Sequence, residues 1–194
     1  MATDVIHRVV ETQAVRQGDR PALVDHAGSI SYRALNSRAN AVARALMCAG
    51  LRRGGHGVVT GRAGADLAVA LLAVLKTGAS YTWRASAHAG QPTVAIRSGD
   101  GEAADEYLVT GDTAVEASHQ PSPNLPVLVR GGDIAIIVDS PAGPQTIPHA
   151  AIATQAKACP MPGASWIDDP TGCALWLALM AGTTLEIPRT AVAA

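Results

Sequence analysis

The sequence predicts an α/β fold, a mostly parallel sheet flanked by helices, on three observations. Strand-like runs alternate with helix-like segments along its 194 residues. Several strand-like runs, among them 57–60 and 134–138, are continuous apolar stretches, as expected of strands covered on both faces. Segment 67–75 is apolar all round, which suits a helix sandwiched between layers. The length is ample for one domain, 1–194, with its own core. Phenylalanine is absent, so that core must be Ala, Val, Leu and Ile with three tryptophans.

The elements follow in order. Asp4 can cap a first helix whose Ile6, Val9, Val10 and Ala14 share one face. Gly18 to Pro21 ends it, and strands at 22–25 and 29–32 form a hairpin. Ser31 caps a second helix, with Leu35, Ala39, Val42 and Leu46 as an amphipathic stripe and Gly50 as its stop. The strand 57–60 precedes a helix beginning at Asp66 and stopped by Gly78. Further strands are predicted at 81–83, 93–96, 106–110, 127–130 and 134–138, with a proline-rich connector at 120–126. Pro148 sits where a first-turn proline belongs, before a helix at 149–158. A helix at 172–181 leads into a strand at 185–187.

Composition excludes several function classes. Charged residues are 16% and the formal net charge is -1, which leaves no electrostatic footprint for nucleic acid or an anionic membrane. The longest apolar run is too short to span a bilayer. Cys48, Cys159 and Cys173 are too few and too widely spaced for a disulfide scaffold or a CxxC zinc site, and the N-terminus lacks a signal-peptide layout, so a cytoplasmic location is expected. No histidine pairs with another ligand at metal-site spacing, so no metal site is predicted. The acidic cluster Asp100, Glu102, Asp105 and Glu106 reads as a solvated loop, because its spacing fits no calcium loop. Cys159 and Cys173 read as small buried hydrophobes, and Arg62 as a surface residue.

The informative junction is the apolar run 134–138, the loop Ser140-Pro-Ala-Gly-Pro-Gln145, Thr146 and then a helix. Strand, small-residue loop and helix are the general layout of a phosphate cradle. Ser140, Gly143 and Thr146 are its candidate ligands. A cradle needs successive backbone N–H donors and usually a lysine. Pro141 and Pro144 have no N–H, and no lysine lies between Ser140 and His149. An ordinary β–α loop is therefore expected.

Four stretches carry a family resemblance. The segment 30–46 (ISYRALNSRANAVARAL) resembles the first core motif of adenylate-forming enzymes, specifically the adenylation domains of nonribosomal peptide synthetases. The segment 68–81 (AVALLAVLKTGASY) resembles their second motif, 133–138 (DIAIIV) the strand leading to their phosphate loop, and 169–185 (DPTGCALWLALMAGTTL) their fourth motif. Order and frame match from about Val5 to Arg189.

The departures matter as much. The family's third motif is a Ser/Thr/Gly-rich loop ending in Pro-Lys-Gly; here 140–145 is shorter and has no lysine. The second motif's proline- and aspartate-bearing loop is replaced by 82–86 (TWRAS), and Asp168 stands where the family has an aromatic residue. Asp169 matches the aspartate that, in the family, pairs with the substrate's α-amino group, and is the one candidate substrate-binding residue. The later adenine-, ribose- and lysine-bearing motifs have no counterpart in these residues, so the resemblance implies about the first half of the large N-terminal domain.

The expected function is a truncated, catalytically inactive adenylation-like domain, with no catalytic residue, no cofactor and a structural or interaction role in nonribosomal peptide biosynthesis. The alternative is a partial amino-acid-activating unit, using ATP and Mg²⁺ and completed by a partner chain. A third reading is a small-ligand module using the crevice at the strand ends. The two apolar helices need cover. If the chain does not supply it, the expected partner is a synthetase domain or a second copy, across roughly 1,600 Å². Trp166 and Trp176 are then the expected anchors, unless they are core residues.

Overall fold

The computed structural model describes residues 4–25, 28–60, 63–83, 94–98, 106–109, 113–116, 122–138, 140–158 and 171–187. Helix α1 (Ile6–Arg16) buries Ile6, Val10 and Ala14 together with His7 and Glu11. Its N-cap is Val5, without a side-chain capping bond. Asp4, expected to cap it, instead accepts a hydrogen bond from Lys157 Nζ at 3.0 Å. Strands β1 (Pro21–Asp25) and β2 (Gly28–Ser31) pair antiparallel. Ser31 Oγ then accepts the Ala34 amide at 3.2 Å and starts helix α2 (Tyr32–Cys48), as its residue type predicts. The predicted stripe of Leu35, Ala39, Val42 and Leu46 is fully buried. Gly50, at φ 102°, turns the chain so that the Leu51 amide returns to the Leu46 carbonyl.

Strand β3 (His56–Thr60), helix α3 (Ala65–Thr77) and strand β4 (Ser80–Trp83) follow as a parallel crossover unit. Strands β5 (Val94–Ser98), β6 (Glu106–Val109), β7 (Thr113–Glu116), β8 (Ile134–Val138) and β9 (Gln145–Pro148) complete a seven-stranded sheet of order β7-β6-β5-β3-β4-β8-β9. Its centre, β5-β3-β4-β8, is parallel, and β6, β7 and β9 extend it antiparallel at the two edges. Helices α4 (His149–Ala158) and α5 (Cys173–Ala181) and strand β10 (Leu185–Glu186) follow. Strand β10 pairs parallel with β1, Leu23 opposite Leu185, in a second sheet of order β10-β1-β2.

Three elements differ from the sequence reading. Residues 127–130 are irregular, not a strand. The Leu125 and Val127 carbonyls are taken by the guanidinium of Arg8, at 3.4 and 2.9 Å. Strands β7 and β9 were not anticipated. Pro148 directly precedes α4, which begins at His149 as predicted, and it also closes β9 opposite Ile134; a proline without an N–H fits the outer edge of a sheet. The proposed phosphate junction is therefore strand, turn, strand, helix.

Both apolar helices are covered from within. Every residue from Leu67 to Thr77 of α3 is buried, packed by α1, α2 and strands β3 to β5. Helix α5 buries Leu175 to Met180 against α4 and α1. Trp176 is a core residue: it is fully buried, and its Nε1 donates to Tyr81 Oη at 2.7 Å. The expectation that Trp176 anchors an interface is corrected on that ground. Trp166 lies outside the described residues.

The carboxyl end of α5 is closed by side chains from the start of the chain. Tyr32 Oη reaches the Thr183 carbonyl at 2.7 Å and the Leu179 carbonyl at 3.2 Å. Gln13 Nε2 donates to the Met180 carbonyl and Gln17 Nε2 to the Gly182 carbonyl, each at 2.8 Å. A buried helix end needs such partners, because its last carbonyls have none within the helix. Burial raises the Tyr32 phenol pKa, with Arg20 opposing, so the hydroxyl stays a donor.

Candidate functional site

In an open parallel sheet, ligands bind at the carboxyl ends of the strands. Here those ends are Thr60 of β3, Trp83 of β4 and Val138 of β8. Strand β8 runs into the turn that holds two of the candidate phosphate ligands. Ser140 Oγ donates to the Gly143 carbonyl at 2.7 Å, and the Gly143 amide donates to the Ser140 carbonyl at 2.9 Å. Gly143 has φ 109° and open space around its α-carbon. The turn is closed on itself. Its hydroxyl proton and the Gly143 amide point inward, and Pro141 and Pro144 supply no N–H. Thr146 is not in the turn. It lies in β9 opposite Ile137, with its side chain exposed.

The fourth-motif segment is tied to the second motif by Tyr81 and Trp176, a pairing the sequence does not show. Tyr81, in β4, donates its hydroxyl to the Thr171 carbonyl at 2.8 Å and accepts from Trp176 Nε1. Gly172 sits close by at φ 64°, where a β-carbon would come 3.2 Å from Tyr81 Oη. The signal was available: a Tyr or Trp in an apolar segment needs a partner for its polar tip. Asp168, Asp169, Arg62, Cys159 and the acidic residues Asp100, Glu102 and Asp105 lie outside the described residues, and of Glu106 only the backbone is described. Cys173, at the start of α5, is half-buried.

An open cleft lies at the opposite, amino ends of the strands, lined by Arg53, Gly55, Ser80, Gly132, Asp133 and Ile134 among others. Arg53 and Asp133 pair there through two guanidinium nitrogens, at 2.8–3.0 Å. Desolvation is the largest single influence on Asp133 and opposes its ionisation, but the Arg130 amide and the Arg53 guanidinium together outweigh it and hold the carboxyl below its usual pKa. His56 Nδ1 lies 3.0 Å from Ser80 Oγ, and its Nε2 lies 3.2 Å from Thr82 Oγ1. That pairing resembles a nucleophile and base, but Ser80 Oγ also lies 3.3 Å from the Gly55 carbonyl, to which it donates. The Gly54, Gly55 and Ser80 amides are bonded to the Gly78, Arg52 and Gly55 carbonyls. Those three amides are therefore committed within the backbone and are not free to act as oxyanion donors. Among the described residues, no group of three His, Cys, Asp or Glu side chains could hold a metal ion, and no helix is long and apolar enough to cross a membrane.

Comparison with known proteins places this architecture. The sequence profile of the family described as AMP-binding enzyme matches residues 10–164. Surfactin synthase subunit 2 of Bacillus subtilis (strain 168) is 38% identical over 76 residues, which is 39% of this chain and 2% of that protein. An artificially fused adenylation–PCP di-domain of NpsA and ThdA from Klebsiella oxytoca superposes with a TM-score of 0.72 at 22% identity, over 98% of this chain and 39% of that one. The N-terminal subdomain of Klebsiella oxytoca NpsA, bound to 3-hydroxybenzoyl-AMSN, gives 0.71 at 20% identity, over 98% of this chain and 55% of that one. The chain thus spans a small part of the synthase and about half of the solved subdomain, and it shares that subdomain's fold.

Proposed function

The chain belongs to the AMP-binding enzyme family, and from that premise we propose that it forms an adenylation-like unit that does not itself activate a carboxylate with ATP. Its role is structural, beside other domains of a peptide synthetase; with α3 and α5 covered from within, the ground for a second copy of the chain falls away. The observation that carries this reading is the turn at Ser140 to Gly143. Attack of a carboxylate on the α-phosphorus of ATP develops charge that must be met by preorganised donors, a cation or both. At this turn the hydroxyl donates inward, the Gly143 amide is committed to Ser140, and Pro141 within it and Pro144 just after it have no N–H. No lysine stands in the turn. The residues present do not fit a triphosphate cradle, so no step is assigned to ATP or Mg²⁺ here.

Calorimetric titration of the chain with ATP and Mg²⁺ tests the reading. No one-site isotherm is expected, and a Kd below about 0.1 mM, over ~5 kcal/mol of binding, overturns it. Amino-acid-dependent exchange of pyrophosphate into ATP is also expected to be absent. Exchange that appears on adding a partner domain and disappears in Asp169→Ala would establish the alternative, an amino-acid-activating unit completed by another chain. Retention of purified synthetase domains tests the partner part; a chain that retains none of them removes it.

A further inference from the structure

A group of ionisable side chains outside the candidate site lies at the junction of α1, α3 and α4. Lys76 Nζ, from α3, is 2.6 Å from Glu11 Oε1 of α1, and both side chains are buried. Arg8 Nη1 reaches the other oxygen, Glu11 Oε2, at 2.9 Å. Two cations therefore already share one buried carboxylate. His7 of α1 and His149 of α4 meet beside them, edge to face, with ring centroids 5.8 Å apart. Both imidazoles are essentially without solvent exposure. His149 Nδ1 accepts the Ile6 amide, at the first residue of α1, at 3.4 Å. His7 Nδ1 and His149 Nε2 have no hydrogen-bond partner among the described residues.

We propose that this junction is a proton-sensitive clasp, in which protonation of His7 and His149 releases α1 from α3 and α4. A neutral His149 ring, with its proton on Nε2, leaves Nδ1 as the acceptor of the Ile6 amide. A proton on His149 Nδ1 would turn the acceptor of the Ile6 amide into a donor facing a donor. A proton on His7 would add a positive charge beside Lys76 and Arg8, whose only shared counter-charge is Glu11. The other charged groups facing the cluster change little: Arg44 of α2 adds a further cation near Lys76, and Asp133, on the loop before β8, is the one carboxylate that favours a charged His149. Asp133 is already paired with Arg53.

The direction of the titration agrees with the geometry. Burial, then Lys76, His149 and Arg8, hold the His7 pKa well below its usual value. Burial pushes His149 down to about 4, against the pull of Asp133. Burial also lowers Lys76, to about 8, so it keeps its proton at neutral pH. Groups that bind protons more readily once α1 lifts away make the closed state lose stability as pH falls. The clasp is fully closed above the ordinary histidine value of about 6.5 and opens as pH drops from there toward about 4. Release would also withdraw Gln13 and Gln17 from the carbonyls at the end of α5.

Hydrogen exchange on the whole chain, corrected for intrinsic rates, tests this. Between about pH 7.5 and about pH 5, protection of the α1 amides is expected to fall at least about tenfold further than that of β3 and β4. His149→Gln keeps an acceptor for the Ile6 amide but takes up no proton, and His7→Gln removes the charge beside Lys76. Each should flatten the α1 response, and the double variant should abolish it. Should the variants fail to fold, the C2 protons of the wild-type imidazoles decide. Titration well below 6.5, coincident with loss of α1 protection, supports the clasp. Titration near 6.5 with α1 still protected, or an acid response unchanged in His149→Gln, overturns it.

Discussion

Two glycine turns show where this chain commits its polar side chains. Gly143, between β8 and β9, and Gly182, after α5, both have positive φ, at 109° and 75°. At Gly143 nothing lies within 4 Å of where a β-carbon would stand, and the turn is held by its own Ser140. At Gly182 a β-carbon would stand 2.3 Å from Gln17 Nε2 and 3.0 Å from Gln13 Oε1. There the carbonyls are met by Gln13, Gln17 and Tyr32, from the far end of the chain. The crowded turn locks distant segments together. The open one, where the family resemblance implies chemistry, is closed by bonds between its own Ser140 and Gly143. At both turns the polar side chains named here bond to backbone carbonyls.

The largest expected effect comes from adding a methyl group at the crowded turn. Gly182→Ala combines left-handed backbone strain with displacement of two glutamines, for a loss of about 2–4 kcal/mol. A shift in urea midpoint at unchanged slope would measure it. Tyr32→Phe leaves the Thr183 carbonyl without its 2.7 Å donor and should cost about 1–3 kcal/mol by the same assay. Gly143→Ala meets no neighbour, so only backbone strain of about 1–2 kcal/mol remains. A loss there equal to that of Gly182→Ala would break the contrast. Ser140→Ala is expected to do least. It removes one exposed-turn hydrogen bond, at about 0.5–1 kcal/mol, and leaves ATP titration as featureless as before. Measurable nucleotide binding gained by Ser140→Ala would show that the turn's self-closure was what kept phosphate out.

Much of the fold is legible in local chemistry. The Ser31 cap, the stripe from Leu35 to Leu46 and the stops at Gly50 and Gly78 follow from residue type and spacing. What was missed depended on distant partners. Residues 127–130 look like a strand until Arg8, 119 positions away from Val127, takes the Val127 carbonyl. Pro148 marks the start of α4 in the sequence, but the strand it ends shows only once Ile134 is found opposite it. Trp176 on an apolar helix fits an interface or a core equally well, and only the Tyr81 hydroxyl decides. At the candidate site, the missing lysine and the two prolines were plain in the sequence. That Ser140 turns its proton inward was not, because the direction of a hydroxyl is set by three-dimensional neighbours.

The pairing of β10 with β1 places Leu185 beside Leu23. A chain emerging from the ribosome carries β1 and β2 long before their third strand is made. Until then β1 has an open edge, a template for pairing with other chains. Contacts spanning most of the sequence also slow folding, since loop closure must precede their reward. Assembly of the small sheet is therefore expected to be a late step. Chains interrupted before residue 185 should aggregate through β1 more readily than the finished one.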